Sequence, residues 1–487
     1  MSAQTDIFRR LVRDRLGDPP VCLSSDATVE ELAERMAAEA ASCTVIVDEN
    51  WRATGIITEQ DVTRRIAFRV EPKTKVGDVM TTPVVTVERS DYLYHAVAFM
   101  RRRGLRHIPV VDEEQLVCGM LSLTEALAFL SEETIELIRL LTHEATLDGL
   151  KRVKEAQVDL AEALFENNVP VPEVQALLTD INHDIHRRIL RRHLSEMADE
   201  KKWGEPPVPF SLIILGSGGR GENFLFPDQD NGFILGDYPD EEHARIDGFF
   251  IELATRMTRD LDAVGLPLCR GAIMATNPVW RKTASQWRAQ ITHWMTKRST
   301  TMLRYSDIFF DFAHVYGDAS LAAGLRDYVT AMAAKNPGFI KDMYSIEADH
   351  KVALGWFGRL MSERDSQDRE GMINLKYGGT LPLVEGVRLL ALSHGVAETS
   401  TLKRIDALHE RGVLSANEQD YLAGAVREIT RLLLRQQIAD FKAGNEVTNF
   451  VPEAGLSDRE KDFLVACFRA VEDLRGRLKS DFSGDIF

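Results

Sequence analysis

The sequence predicts a multidomain α+β protein: a tandem pair of small repeat units, a helical linker, a core with a mixed sheet, and a helical C-terminal domain. Three observations carry this reading. An 18-residue segment recurs without gaps 64 positions further on. A glycine-rich turn separates two short apolar runs, and the second run opens on a pair of aspartates. Helical periodicity fills most of the chain before and after that turn.

The repeat comes first in the chain. VIVDENWRATGIITEQDV (Val45–Val62) aligns with PVVDEEQLVCGMLSLTEA (Pro109–Ala126), so that Asp48 matches Asp112, Gly55 matches Gly119, Thr58 matches Ser122 and Asp61 matches Glu125. An amphipathic helix precedes each copy (TVEELAERMAAEAA and YLYHAVAFMRRRG), and each copy then gives strand, polar turn, strand and a second helix. Thr58-x-x-Asp61 and Ser122-x-x-Glu125 also have the spacing of a capping box, so these four residues have a structural reading as helix caps. Arg101, Arg102, Arg103 and Arg106 crowd one helix end, where cations complement the helix dipole.

The tandem β-α-β-β-α pattern, with GDVMTTPVVTV (Gly77–Val87) and RHIPVVD (Arg106–Asp112), resembles a CBS domain pair over residues 18–131. That resemblance implies a cleft that binds adenine nucleotides, with ribose contacts from Thr58 and Asp61 in one copy and Ser122 and Glu125 in the other. It also implies a homodimer formed through the pair.

Bulk properties narrow the partners. The chain has 487 residues, 59 basic and 75 acidic, for a net charge of −16. A nucleic acid polymer is repelled by such a surface, whereas a nucleotide needs only a local cationic pocket. No apolar run approaches the roughly 20 residues that span a bilayer, and the charged N-terminus lacks a secretion signal's apolar core. The five cysteines show no CxxC pair, which argues against a disulfide framework or a zinc site. The expectation is a cytoplasmic protein with no membrane partner. Residues 132–205 read as a helical linker, and its His183, His186 and His193 as surface or helix-packing residues rather than metal ligands.

Residues 206–335 hold the chemistry. In FSLIILGSGGRGENFLFPDQDNGFIL (Phe210–Leu235) a strand runs into the turn Gly216–Gly221, and Asp228 and Asp230 open the next strand. Side chains two apart on a strand point the same way, so the two carboxylates should project together beside the Gly216-Ser217 amides. Such a pair can hold Mg²⁺ (or Mn²⁺), while the turn cradles phosphates and Arg220 neutralises them. Glu222 is placed to orient Arg220. A third acid, Asp311, follows the β-prone run IFF in SDIFFDFAHVYGD (Ser306–Asp318). The bland reading of Asp228 and Asp230 is turn capping after Pro227.

Gly-Ser at a strand end, Asp-x-Asp a dozen residues on and a later third acid resemble the DNA polymerase β-like nucleotidyltransferase superfamily. GSGGRGENFLFPDQDN, with CRGAIMATNPVWRKTASQW (Cys269–Trp287), is similar to the nucleotidyltransferases that follow CBS pairs in bacterial signalling proteins. These are relatives of PII uridylyltransferase and glutamine-synthetase adenylyltransferase. Ala313 stands where family members usually carry an arginine. The resemblance implies catalytic and metal-binding roles for Asp228, Asp230 and Asp311, with Asp311 also accepting a proton. It implies phosphate contacts from Gly216, Ser217, Arg220 and Lys376.

Residues 336–487 read as a helical domain associated with the transferase. MINLKYGGTLPLVEGVRLLAL (Met372–Leu392) interrupts it with a glycine turn whose Lys376, Gly378 and Gly379, with Arg388 beyond, are placed by resemblance near base or phosphates. The whole chain thus reads as a Mg-dependent nucleotidyltransferase that takes NTP and modifies a protein or small acceptor, with adenine nucleotide at the CBS pair regulating it. The alternative is a non-catalytic adenine-nucleotide sensor and signalling scaffold.

Overall fold

The computed structural model describes residues 11–16, 20–67, 69–123, 126, 146–166, 168–348, 350–355, 358–363 and 369–483. The chain divides into two compact units, residues 1–144 and 145–487.

The first unit contains two three-stranded sheets of identical design. Strands β1 (Val21–Ser24), β2 (Cys43–Val47) and β3 (Ala53–Thr58) form one; β4 (Val87–Glu88), β5 (His107–Val111) and β6 (Val117–Ser122) form the other. In each, the first pair is parallel and the second antiparallel. The register repeats as the sequence does: Cys43 pairs with Thr58 and His107 with Ser122, and each sheet has its irregularity at the matching place, Ile46/Val47 and Val110/Val111. Helices α1 (Val29–Ala38) and α2 (Leu93–Arg103) precede the second strands. Thr28 begins α1 with a reciprocal capping box: the Glu31 amide donates to its hydroxyl (3.2 Å), and its own amide donates to the Glu31 carboxylate (2.7 Å). Cys43, Val45 and Val47 of β2 pack with Met120 of β6, and the Ser42 hydroxyl meets His107 Nε2 at 2.9 Å, so the two copies share one core. Residues 11–16, outside the expected boundary at 18, belong to this unit: the Val12 amide donates to Asp91, and Leu16 fills the space beside Gly119.

The second unit is built on a four-stranded mixed sheet in the order β10-β7-β8-β9, with β7 (Phe210–Ile214), β8 (Asn231–Leu235), β9 (Arg281–Thr283) and β10 (Ala313–Gly317). β7 is antiparallel to both β8 and β10, and β9 is parallel to β8. Every residue of β7 and β8 is buried, as their continuous apolar runs require of central strands covered on both faces. One cover includes α7 (Ala284–Lys297) and α8 (Thr300–Phe309), whose Trp287 and Phe309 rings stack at 4.9 Å.

Two expectations change here. The segment read as a linker contains α3 (Leu147–Glu166) and α4 (Val171–Asp199), which pack within this unit. His193 Nε2 meets Asp260 at 2.8 Å on α6 (His243–Val264), and Arg187 Nε donates to the β10 carbonyl of Val315 at 2.9 Å. His183, His186 and His193 are all buried. The run Ile308-Phe309-Phe310, read as a strand, closes α8, and β10 starts only at Ala313. Its aromatic side chains meet the helical cover, and that tertiary packing overrides β-propensity.

Beyond α9 (Ala319–Ala334) and α10 (Pro337–Glu347), the C-terminal part packs α11 (Leu381–Ser393), α12 (Thr401–Glu410), α13 (Ala416–Lys442) and α14 (Asp458–Ser483). A small ribbon of β11 (Met372–Asn374) and β12 (Phe450–Pro452) lies between. Truncating Leu212, fully buried at the centre of β7, should cost about 2–5 kcal/mol of folding stability. Denaturant unfolding of Leu212→Ala checks this, and an unchanged midpoint would contradict the assigned core.

Candidate active site

The glycine turn forms because β7 ends at Ile214 and the chain winds directly into a short helix, α5 (Gly216–Arg220). Gly216 has φ +59°, and a Cβ there would lie 3.1 Å from Asp230 Oδ2. Both facts favour glycine. A Cβ on Gly219 would stand 1.7 Å from the Asp311 carbonyl oxygen, so only glycine lets these backbones meet. The first amides of α5 have no partner within the helix.

The turn is held from below by α3 and α4. His183 Nε2 meets the Gly218 carbonyl at 3.0 Å, Gln175 donates to the Glu222 carbonyl at 2.9 Å, and the Asn223 amide donates to Thr179 at 2.9 Å. Lys154 is buried and donates to the Leu225 carbonyl at 2.7 Å, to Gln157 at 2.7 Å and to Asn182 at 3.1 Å. Desolvation pushes its pKa down to about 7. Burial likewise pushes His183 and His186 down to about 4.

Asp230 immediately precedes β8. Its carbonyl accepts from the Leu215 amide at 2.9 Å, which sets it against the turn. Burial is the largest influence on its carboxyl. A bond from the Cys269 thiol lowers its pKa, the Asp228 charge raises it, and Lys376 and Arg220 lower it; the net result is about 6. Burial pushes the Cys269 thiol up to about 11. Asp230 Oδ1 is enclosed with no hydrogen-bond partner, and Asp228 is exposed. The structure therefore brings Asp228, Asp230, Gly216 and Ser217 together, with Lys376 and Arg220 within electrostatic reach. Ser217 donates to Asn223 Oδ1 at 3.0 Å.

Asp311 requires a correction. Its side chain is fully buried, and three guanidiniums occupy it: Arg220 at 2.8 Å and Arg388 at 2.6 Å on Oδ2, and Arg404 at 2.7 Å on Oδ1. Burial alone would raise its pKa; Arg404, Arg388 and Arg220 outweigh it and hold the carboxyl far below the usual range. Such a group neither takes up a proton nor offers an oxygen to a cation. Among the described residues, no group of three or more His, Cys, Asp or Glu is placed to hold a metal ion. The trio expected from sequence is a pair.

Arg220 itself is committed, with Nε on Glu222 at 2.7 Å and Nη1 on Asp311. Glu222 also accepts from the Thr401 amide at 2.6 Å and hydroxyl at 3.1 Å, which ties the turn to the start of α12. Arg388, placed near the nucleotide by resemblance, is instead buried between Asp311 and Asp307. Gly378 and Gly379 serve close packing: a Cβ on either would meet Ala353 Cβ at 2.7 Å or Ile429 Cγ2 at 2.9 Å. Arg404 and Thr401 carried no sequence signal.

A divalent cation fits this donor set. Two carboxylates, one with an enclosed unpartnered oxygen and a pKa raised by burial and its neighbour's charge, are what Mg²⁺ uses when substrate phosphates and water complete its shell.

In the first unit, Thr58 and Asp61 come together at the end of β3. The Thr58 hydroxyl and amide donate to Asp61 Oδ2 at 2.8 and 2.9 Å, and Arg65 holds Oδ1 at 2.7 Å. Burial opposes ionisation of Asp61, but the Thr58 and Arg65 bonds prevail and lower its pKa. The capping geometry is thus realised. Ser122 ends β6 at the matching register; Glu125 lies outside the described residues.

A mixed sheet carrying a glycine turn and an Asp-x-Asp pair, joined to two CBS-like repeats and a helical C-terminal part, defines a CBS-pair protein with a nucleotidyltransferase-like domain. Family models match in that series. The CBS domain covers residues 12–68 and 76–132, "Putative nucleotidyltransferase DUF294" covers 155–301, and "Putative nucleotidyltransferase substrate binding domain" covers 337–482. Residues 155–301 and 337–482 thus match the two DUF294 models, behind a pair of CBS domains.

Among curated proteins, the chain is 33% identical over 119 residues to an uncharacterized 33.4 kDa protein in the ribosomal RNA operon of Thermofilum pendens, covering 24% of this chain and 38% of that protein. It is 30% identical over 111 residues to the homoserine O-acetyltransferase of Methanocorpusculum labreanum, covering 23% and 22%. The chain thus spans well under half the length of either relative. Among solved structures, the CBS domain protein PAE2072 from Pyrobaculum aerophilum, complexed with AMP, is 26% identical. The match covers 26% of this chain and 98% of that one, with a TM-score of 0.24. No helix among the described residues is long and apolar enough to cross a membrane.

The two acids should behave oppositely when neutralised. Asp311→Asn leaves three buried guanidiniums short of their shared counter-charge and should cost about 3–5 kcal/mol in denaturant unfolding. Exposed Asp228→Asn should stay within about 0.5 kcal/mol of the parent. Equal effects would contradict the anchoring role of Asp311.

Proposed function

We propose that the chain is a Mg²⁺-dependent nucleotidyltransferase that moves a nucleoside monophosphate from NTP to a protein or small acceptor. The observation that carries this is the Asp228–Asp230 pair beside the Gly216 turn, with one enclosed, unpartnered carboxylate oxygen. The matches of residues 155–301 and 337–482 to the two putative nucleotidyltransferase models support it.

The residues divide the work. Asp228 and Asp230 hold the divalent cation, whose charge, when bound, offsets that of the triphosphate and of the leaving pyrophosphate. The Gly216 and Ser217 amides, at the start of α5, would face phosphate oxygens, and exposed Lys376, whose charge reaches Asp230, would add positive charge. Arg220 acts through position, because Glu222 and Asp311 fix it.

Either Asp228→Asn or Asp230→Asn should lower Mg²⁺-dependent pyrophosphate release on the order of a hundredfold or more. The assay uses lysate as acceptor source and each α-labelled NTP in turn, so the labelled product names base and acceptor together. Asp230 must be ionised to hold the cation. Its raised pKa of about 6 therefore predicts that parent activity falls as pH drops through 6, with the deprotonated form present above it. Full release by both variants would exclude the assignment.

One observation favours a second reading, a nucleotide sensor without turnover: the third acid is locked among arginines. Binding of NTP that persists with no labelled product from any lysate would select it.

At the CBS pair we propose adenine nucleotide as regulator, with the ribose hydroxyls on Asp61 and Thr58. Calorimetric titration with AMP should show binding that weakens about tenfold in Asp61→Asn, a change of about 1.4 kcal/mol. Undiminished binding would move the ligand elsewhere.

A further inference from the structure

The C-terminal part of the second unit contains an open cleft of about 760 Å³, within the roughly 300–1,000 Å³ range of small-molecule sites. Lys351, just after α10, and Arg475 and Lys479 of α14 bring three cations to it. Residues 475 and 479 are one helical turn apart and share a face. Arg475 is fixed from behind, since Nη2 donates to the Ala348 carbonyl at 2.8 Å and Nη1 to Glu347 at 3.4 Å. Neither Lys351 nor Lys479 has an ion-pair partner among the described residues, although Glu363 and Glu472 line the same cleft. Tyr377 borders it with 57% of its surface exposed, which is a large unpartnered aromatic.

We propose that this cleft binds a small hydroxylated phosphate ester. The three cations suit the phosphate and the Tyr377 face suits a planar or apolar ring surface. The two glutamates, acceptors only when ionised, suit hydroxyl donors. Two sources share that chemistry, a nucleotide and a sugar phosphate. Neither Asp228 nor Asp230 lines this cleft.

Pyridoxal 5′-phosphate, which carries phosphate, hydroxyl and ring and forms a reducible imine with lysine, tests this on the full chain. After borohydride reduction and peptide mapping, Lys351 and Lys479 should be labelled about tenfold faster than exposed Lys201 and Lys403, the ratio expected for about 1.4 kcal/mol of ligand attraction. AMP or glucose 6-phosphate should slow that labelling, and whichever competes better identifies the source. Labelling at the same rate as Lys201 and Lys403, or unaffected by both competitors, would overturn the proposal. Because no NTP turnover is read, this result stands or falls separately from the transferase assignment.

Discussion

The carboxylate of Asp311 receives guanidinium groups from three separate segments: Arg220 from the glycine turn, Arg388 from α11 and Arg404 from α12. Taking four such ions out of water costs several kcal/mol each, and only close, multiply bonded geometry offsets it. The acids around the cluster share that load. Asp307 pairs with Arg388, Glu222 with Arg220, and buried Glu347, with its pKa raised by burial and by Asp307, adds no full second charge. The consequence is positional. The turn that faces Asp230 is bonded to Asp311, 91 residues beyond Arg220, and to the start of α12, 179 residues beyond Glu222, so distant packing helps to hold it.

Asp230 and Asp311 show how one domain drives two carboxyls, one half-buried and one fully buried, in opposite directions. Both lose hydration. Asp311 gains three cations in contact and is permanently ionised, which makes it a fastener. The pKa of Asp230 rises chiefly through desolvation and the like charge of Asp228, which the charges of Lys376 and Arg220 only partly offset, and one oxygen stays unpartnered.

This contrast explains what the sequence made legible. The CBS-like repeat was readable because each copy forms its sheet from local segments, and the 64-residue shift reappears in the register itself. The Gly216 turn and the Asp228–Asp230 pair were readable because they too are local, lying within one β-turn-β segment. Asp311 was legible as an important acid and misread as a ligand, since its role depends on Arg388 and Arg404, 77 and 93 positions away. Sequence spacing carries no information about such pairings. For the same reason α3 and α4 read as a linker: their amphipathic faces were visible, but the buried polar contacts of Lys154 and His183 with the turn were not.

The turn Lys376–Thr380 draws these threads together. It is a single π-helical turn between β11 and α11, a rare widened geometry. Gly378 and Gly379 lie flush against Ala353 and Ile429, so any side chain there would push the turn outward. With the backbone pinned, Lys376 is held within electrostatic reach of Asp230 while its neighbour Tyr377 borders the cationic cleft. Pinned there, Lys376 acts on Asp230 through its charge and lowers that carboxyl's pKa.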